Sequence, residues 1–297
     1  MNRGDHQEPI FRSNRDREMF LATLDQACQK TGWQVHAWCL MSNHFHLVVE
    51  TPQANLVPGM KWLLGTYTMR FNRRHRLFGH LFSGRYKALP VEGSGNGYLK
   101  TACDYVHLNP ARAKLVRAKD RLSDFAWSSY PAYLKARSAR PPWLRVDRLL
   151  GEHGIPKDSP AGRRHFQRRM ECRRRTEDGE EFAALERGWC VGGKEFRQEL
   201  LAQMKAGPEH YGQEIGESGE HKAERRVREE LRKLGWTESE LRSRAKGDPA
   251  KIGLARVLRQ ETTMTLGWIA QTLHMGTRTY LSHLLYWQGK QKKPKRG

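Results

Sequence analysis

The segment Met41-Ser42-Asn43-His44-Phe45-His46-Leu47-Val48-Val49-Glu50 constrains this chain more than any other. It reads as a strand, in which successive side chains alternate between two faces. His44 and His46 then share one face, and Phe45 and Leu47 occupy the opposite, apolar one. Trp33 to Leu40 reads as a second strand, and the short turn at Ser42-Asn43 makes the two a hairpin. A helix capped by Asn14 or Asp16 carries the apolar stripe Met19, Phe20, Thr23, Leu24 and Ala27, and Gly32 stops it. Another runs from Leu56 to His75. Gly79 to Lys87 is a glycine-flanked loop leading into an expected strand around Tyr86 to Val91. Gly93 to Gly97 is a glycine-rich loop. Tyr98 to Leu108 is a third helix, followed by a turn capped by Pro110. Asp124 to Tyr130 is expected to close the unit as an aromatic flap. Helices alternating with antiparallel strands make this half an α+β sandwich.

Two imidazoles on one strand face are half of a divalent metal site. Tyr105 and Asn109 stand i, i+4 in Tyr105-Val106-His107-Leu108-Asn109-Pro110, so they share a helix face. Packed over the strand, that helix would complete a set of two histidines, an amide oxygen and a tyrosine hydroxyl. The combination indicates a metal-assisted tyrosine nucleophile. The chain carries 53 Lys plus Arg against 32 Asp plus Glu, a formal charge of +21. Such an excess favours a polyanion, so a phosphodiester is the natural target. The plainer readings are that both histidines are satisfied core residues, that Tyr105 only packs, and that the surface is simply basic. His107 falls about 200° round the helix from Tyr105 and should face away. Arg73 and Arg74 at the end of the second helix, and Arg85 and Lys87 on the glycine-flanked loop, are placed to hold phosphates. Trp127 and Tyr130 read as core. The run Arg163 to Arg175 reads as a solvated, phosphate-attracting face with no catalytic part.

The five cysteines include no C-x-x-C pair, and their odd number argues against a disulfide framework. The N-terminus has no apolar signal core, and no apolar run approaches membrane-spanning length. A cytoplasmic protein without a membrane partner is expected, nucleoid-associated in a bacterial host. Pro141-Pro142 marks a boundary, so residues 1–140 form the first domain and 141–220 a charged helical connector. That connector ends in a glycine-rich linker from Lys205 to Glu220. Residues 221–297 form a helical C-terminal region. Within it, Ile252 to Arg259, Leu266 to Leu273 and Thr277 to Trp287 are helices, and Met275-Gly276 is a turn. That pattern matches a helix-turn-helix whose recognition helix starts at Arg278 and Thr279. The tail Lys290 to Arg296 adds sequence-independent attraction to duplex DNA.

With these stretches assembled, the chain resembles the REP-associated tyrosine transposases. These are relatives of the IS200/IS605 transposases in the HUH endonuclease superfamily, of the single-tyrosine type. The resemblance rests on Arg3-Gly4 through Ile10-Phe11, Met41 to Val48, Gly84-Arg85-Tyr86-Lys87, Tyr105 to Ala113 and Trp127-Ser128-Ser129-Tyr130, in the family's order. It implies a ferredoxin-like antiparallel sheet, the HUH nuclease fold, presenting His44 and His46 to Mg²⁺ or Mn²⁺, with Asn109 as third ligand. It implies Tyr105 as nucleophile, a 5′-phosphotyrosine intermediate and single-stranded DNA beside a hairpin as substrate. Arg112, within the same matching stretch, would contact that DNA. Members usually carry a central strand before Arg3-Gly4. Only Met1 and Asn2 precede Arg3 here, so that strand is expected to be missing, leaving unpaired edges on its neighbours. The rival class is a non-enzymatic DNA-binding regulator using the helix-turn-helix, its nuclease domain decayed. A zinc hydrolase built on His-x-His ranks last, since no third histidine or carboxylate stands at ligand spacing. A monomer and a homodimer both remain open.

Overall fold

The structure is a computed structural model and describes residues 1–93, 95–176, 179–205 and 209–291. Two compact units divide it. The first comprises Met1–Cys28, Trp33–Pro52 and Leu63–Pro208, and the second Gln29–Gly32, Gln53–Trp62 and Glu209–Gly297.

The first unit is built on a three-stranded antiparallel sheet in the order β1-β3-β2. Its strands are β1 (Asn2–Arg3), β2 (Gln34–Leu40) and β3 (His44–Glu50). Helices α1 (Asn14–Thr31) and α2 (Leu56–His75) follow the expected spans, and Gly32 ends α1 with φ of 72°. The apolar face of β3 packs against them. The Phe45 ring lies 4.8 Å from Phe20, which lies 5.1 Å from Tyr67. The buried Tyr67 hydroxyl donates to the Ile10 carbonyl at 2.6 Å.

The first strand is short rather than missing. Asn2 pairs with Phe45 and Arg3 with His44. On the other side of β1, the amides of Lys87 and Ser83 donate to the carbonyls of Met1 and Arg3 at 2.8 and 2.9 Å. Just beyond it, the Asp5 amide donates to Leu81 at 3.0 Å. The stub is therefore bonded on both sides, and β3 keeps a partner where an open edge was expected. The strand expected from Tyr86 to Val91 does not form. Gly84 adopts φ of 60° and breaks the register between Ser83 and Lys87, and Pro90 has no amide to offer. Val91 instead makes a lone parallel bridge with Val191.

Residues Trp127 to Ser129 run along the other side of β2. The Leu40 amide donates to Trp127 at 2.8 Å, and the Ser129 amide to Trp38 at 2.8 Å. The expected flap is thus bonded to the sheet. Helix α3 (Tyr98–Arg112) covers the face opposite α1 and α2 and continues through Pro110, where a capped turn was expected. A proline so near the helix end removes one amide without breaking the last turn.

Next come α4 (Tyr130–Tyr133), α5 (Asp147–Glu152), α6 (Pro160–Thr176), α7 (Ala183–Arg187) and α8 (Lys194–Lys205). They belong to the first compact unit, although the proline pair at 141–142 was read as a boundary. Phe166 of α6 is fully buried, with the rings of Tyr133 and His153 at 5.3 and 5.0 Å.

The second unit is helical: α9 (Glu209–Leu234), α10 (Glu238–Ser243), α11 (Pro249–Glu261), α12 (Leu266–Thr272) and α13 (Arg278–Gln291). The stretch read as a linker becomes helix from Glu209 onward, while Gly207-Pro208 falls outside the described residues. Each glycine there weakens a helix by about 1 kcal/mol but does not stop one. Leu231, Leu241, Leu254, Leu258, Ile269, Leu273, Leu281 and Leu285 meet in one core. Gly276, at φ of 84°, turns the chain between α12 and α13. The basic tail beyond Gln291 falls outside the described residues.

Asp16, fully buried near the start of α1, fastens that helix to α2. Its carboxylate accepts from the amides of Arg12 and Ser13 at 2.9 Å and lies 2.9 Å from His75 Nε2 and 3.2 Å from Arg74 Nε. Removing one partner of a buried ionic cluster strands the others. Asp16→Ala is expected to lower unfolding free energy by about 3 kcal/mol in urea titration. A loss under about 1 kcal/mol would show that the cluster fastens nothing.

Candidate active site

Alternation along β3 puts His44 and His46 on the face covered by α3. Their ring centroids are 5.0 Å apart, and the Tyr105 ring stands 5.7 Å from His46. One turn along α3 from Tyr105 is Asn109, only 8% exposed. Its Nδ2 has no hydrogen-bond partner among the described residues. A buried N–H without a partner carries a desolvation cost.

Both imidazoles are neutral at physiological pH. Burial, reinforced by the nearby positive charge of Arg3, pushes His44 down to about 4. Burial again, with His44 and Arg3 behind it, pushes His46 down to about 3. The tautomer of His44 follows from its neighbour. Asn43 Nδ2 donates to the Gln7 carbonyl at 3.0 Å, which turns Asn43 Oδ1 toward His44 Nδ1 at 2.8 Å. An amide oxygen can only accept, so Nδ1 of His44 carries the proton and donates. Its Nε2 keeps a lone pair, the form an imidazole needs to bind a cation.

The other side of Tyr105 is closed by a segment that sequence reasoning left unassigned. Phe182, fully buried, lies 5.4 Å from the Tyr105 ring. The guanidinium of Arg112 sits 5.2 Å from the centroids of both Tyr105 and Phe182 and pairs with Glu186. Arg112, expected to touch DNA, therefore lies against the tyrosine. No sequence signal marked Phe182, which stands far along the chain in a charged stretch. Asn43 had one, its place beside His44. His107 does face away, as its helical phase required. Its Nε2 is 2.8 Å from Ser129 Oγ, which accepts from the Trp38 amide at 2.9 Å.

The remaining sites are spread more widely. Arg73, Arg85 and Lys87 are exposed. Arg74 is half-exposed and already paired with Asp16. Arg278 and Thr279 open α13 in the second unit and are exposed. Among the described residues no group of three or more His, Cys, Asp or Glu side chains could hold a metal. A cation here would depend on the histidine pair and uncharged oxygens. That set fits a hard ion that keeps open positions for water and phosphate, and fits a closed structural zinc site poorly.

Residues 3–109 match the model of the family Transposase IS200 like. The chain carries an IS200-like transposase domain. The match includes both histidines, Tyr105 and Asn109, and everything after Asn109 lies beyond it. No curated protein and no solved structure matches the chain. No helix among the described residues is long and apolar enough to cross a membrane.

The Asn43 contact can be read directly. In ¹⁵N spectra of the histidine-labelled protein, His44 is expected as the Nδ1-protonated tautomer, shifting to a mixture in Asn43→Ala. An unchanged tautomer in that variant would remove Asn43 from its control.

Proposed function

We propose that the chain cleaves and rejoins single-stranded DNA beside a hairpin, as a metal-assisted tyrosine transposase. The observation that carries this reading is the Tyr105 ring packed on His46, beside His44 and one helical turn from Asn109. In the proposed reaction the Tyr105 hydroxyl attacks the scissile phosphorus. The new Oη–P bond forms as the P–O3′ bond breaks, and the proton leaving Tyr105 is balanced by the one the 3′-oxygen gains. The product is a 5′-phosphotyrosine and a free 3′-hydroxyl. Because one phosphodiester replaces another, a different 3′-hydroxyl can reverse the step and complete strand transfer. His44, His46 and Asn109 would hold Mg²⁺ or Mn²⁺, which supplies Lewis-acid polarisation of the phosphate when bound. Arg112 stands beside the attacking ring, where its charge can face the phosphate. Arg73, Arg74, Arg85 and Lys87 would contact the backbone of the bound strand.

A non-enzymatic regulator is the weaker reading. Its main argument was an absent first strand, and β1 pairs with β3. Its DNA-binding half is nonetheless part of the proposal. Residues 221–297 would form a separate module whose α13 enters a DNA groove, with Arg278 and Thr279 in the first turn where recognition helices reach bases.

Incubation with single-stranded hairpin DNA and Mn²⁺ should give a protein–DNA adduct that survives denaturation. The adduct should vanish in Tyr105→Phe and fall to background in His46→Ala, with a milder loss in Asn109→Ala. An undiminished adduct in Tyr105→Phe would end the assignment.

The C-terminal module is tested separately. Arg278→Ala should weaken binding to a duplex target by about tenfold, the scale of one base contact, while adduct formation on a saturating single strand stays within twofold. Equal duplex affinity in parent and variant would make α12–α13 a packing element only.

A further inference from the structure

Beyond the matched domain, helix α6 presents one face that neither the cleavage site nor the C-terminal module uses. Its rotation is set by Phe166 and Met170, both fully buried. At 100° per residue, Arg164, Arg168 and Arg175 then fall within about 40° of one another on the outward side. The rise of 1.5 Å per residue spaces them over about 16 Å in a nearly straight line. All three are exposed, and none has an ion-pair partner among the described residues.

The acids nearby are already committed. Glu171, on the same face, pairs with Arg174 at 2.8 Å and accepts the Leu122 amide at 2.8 Å. Asp120 pairs with Arg117 at 2.7 Å, and Asp158 with Arg140 at 2.6 Å. Open grooves of about 380 and 300 Å³ flank the helix. Lys119 and Arg121 join Arg168 and Arg175 along the first, and Arg163 joins Arg164 along the second. The surplus is positive, linear and rigid.

We infer that this face of α6 is a rail for the sugar–phosphate backbone of duplex DNA, such as a hairpin stem. This rests on the DNA-cleaving reading above and adds to it where the double-stranded part of the substrate lies. Single strands are held by aromatic platforms on which bases stack. The helix's only Phe, Tyr or Trp, Phe166, is turned inward, so the rail offers charge without stacking. Charge without base contacts holds a duplex irrespective of sequence.

The test compares the full chain with its Arg164→Ala, Arg168→Ala, Arg175→Ala triple variant, and with the same three positions changed to Lys. Fluorescence anisotropy follows binding of a blunt duplex and of an unstructured single strand across a salt series. Loss of three phosphate contacts should flatten the duplex slope of log K against log salt by about 2.7, at about 0.9 per contact. The single-strand slope should stay within error, and the triple-Lys protein should recover the parental duplex slope. An unchanged duplex slope, an equal flattening on single strands, or no recovery with Lys would each overturn the rail. Adduct formation on the single strand, measured in the same proteins, reads the cleavage proposal independently. An adduct with unchanged slopes sinks the rail alone. A flattened duplex slope without an adduct in any of the proteins keeps the rail and sinks the cleavage reading.

Discussion

The buried carboxylate of Asp104 is the constraint on which the site depends. It is fully enclosed, and burial alone would raise its pKa. The hydrogen bond from His153 at 2.9 Å, with Lys100 at 3.0 Å and Arg173 at 2.9 Å, holds it below the ordinary carboxylate range instead. A carboxylate can sit this deep only when such partners surround it. They come from the residue that caps α5, from α6 and from α3 itself, so α3 is tied to the helices behind it. Its rotation is thereby fixed, and Tyr105, about 100° round the helix from Asp104, is set over β3. The same ion network reaches the outer side of the tyrosine. Arg173 also pairs with Glu181 at 2.8 Å, and the next residue is Phe182, on the Tyr105 ring.

The electrostatics divide chemistry from attraction. The chain carries a large positive excess, yet its histidine pair is driven neutral by burial, with Arg3 adding to the shift. Neutral imidazoles can donate lone pairs to a cation, whereas imidazolium could not. Further exposed positive charge lies elsewhere, on α2's end, the glycine-flanked loop and the outward face of α6. There it can meet phosphates without competing with a cation between the histidines. Positive charge beside metal ligands opposes metal binding through Coulomb repulsion, so a polyanion-binding protein that relies on a cation gains by keeping most of its own charge away. Here Arg3 and the N-terminal ammonium are the charges that bear on both histidines.

Long periodic elements were legible in the sequence. The alternation of β3 put His44 and His46 on one face, and helical spacing put Tyr105 and Asn109 on another. The spans of α1 and α2 followed from their apolar stripes and, for α1, the stop at Gly32, although Asn14 and Asp16, expected as caps, lie inside α1. What escaped had no periodicity to show. A two-residue strand such as β1 carries no alternation, so its pairing is decided by backbone hydrogen bonds to segments far along the chain. The strand expected at Tyr86 to Val91 had the right composition but lost to Gly84 and Pro90. The glycines after Gly207 read as linker because single glycines mark loops more often than helices, yet Glu209 to Leu234 forms one helix. Phe182 was invisible for another reason. Its contact with Tyr105 is made by tertiary packing between residues 77 positions apart, which no local pattern records.

The packing of Tyr105 bears on how a weak nucleophile could act. Its ring is bounded by the edge-on imidazole of His46 and the inclined ring of Phe182, with the Arg112 guanidinium alongside. Held on these sides, the ring cannot sample the rotamers of a free surface tyrosine. Much of the entropy that an attacking group must lose is then lost on folding instead of at the moment of reaction. Well-oriented groups of this kind reach effective concentrations of about 10⁵ M or more. In the proposed reaction that is a larger gain than one added charge could bring. The neighbours behind the ring, Phe182 and the Asp104 network, would therefore govern rate as strongly as the residues facing the DNA.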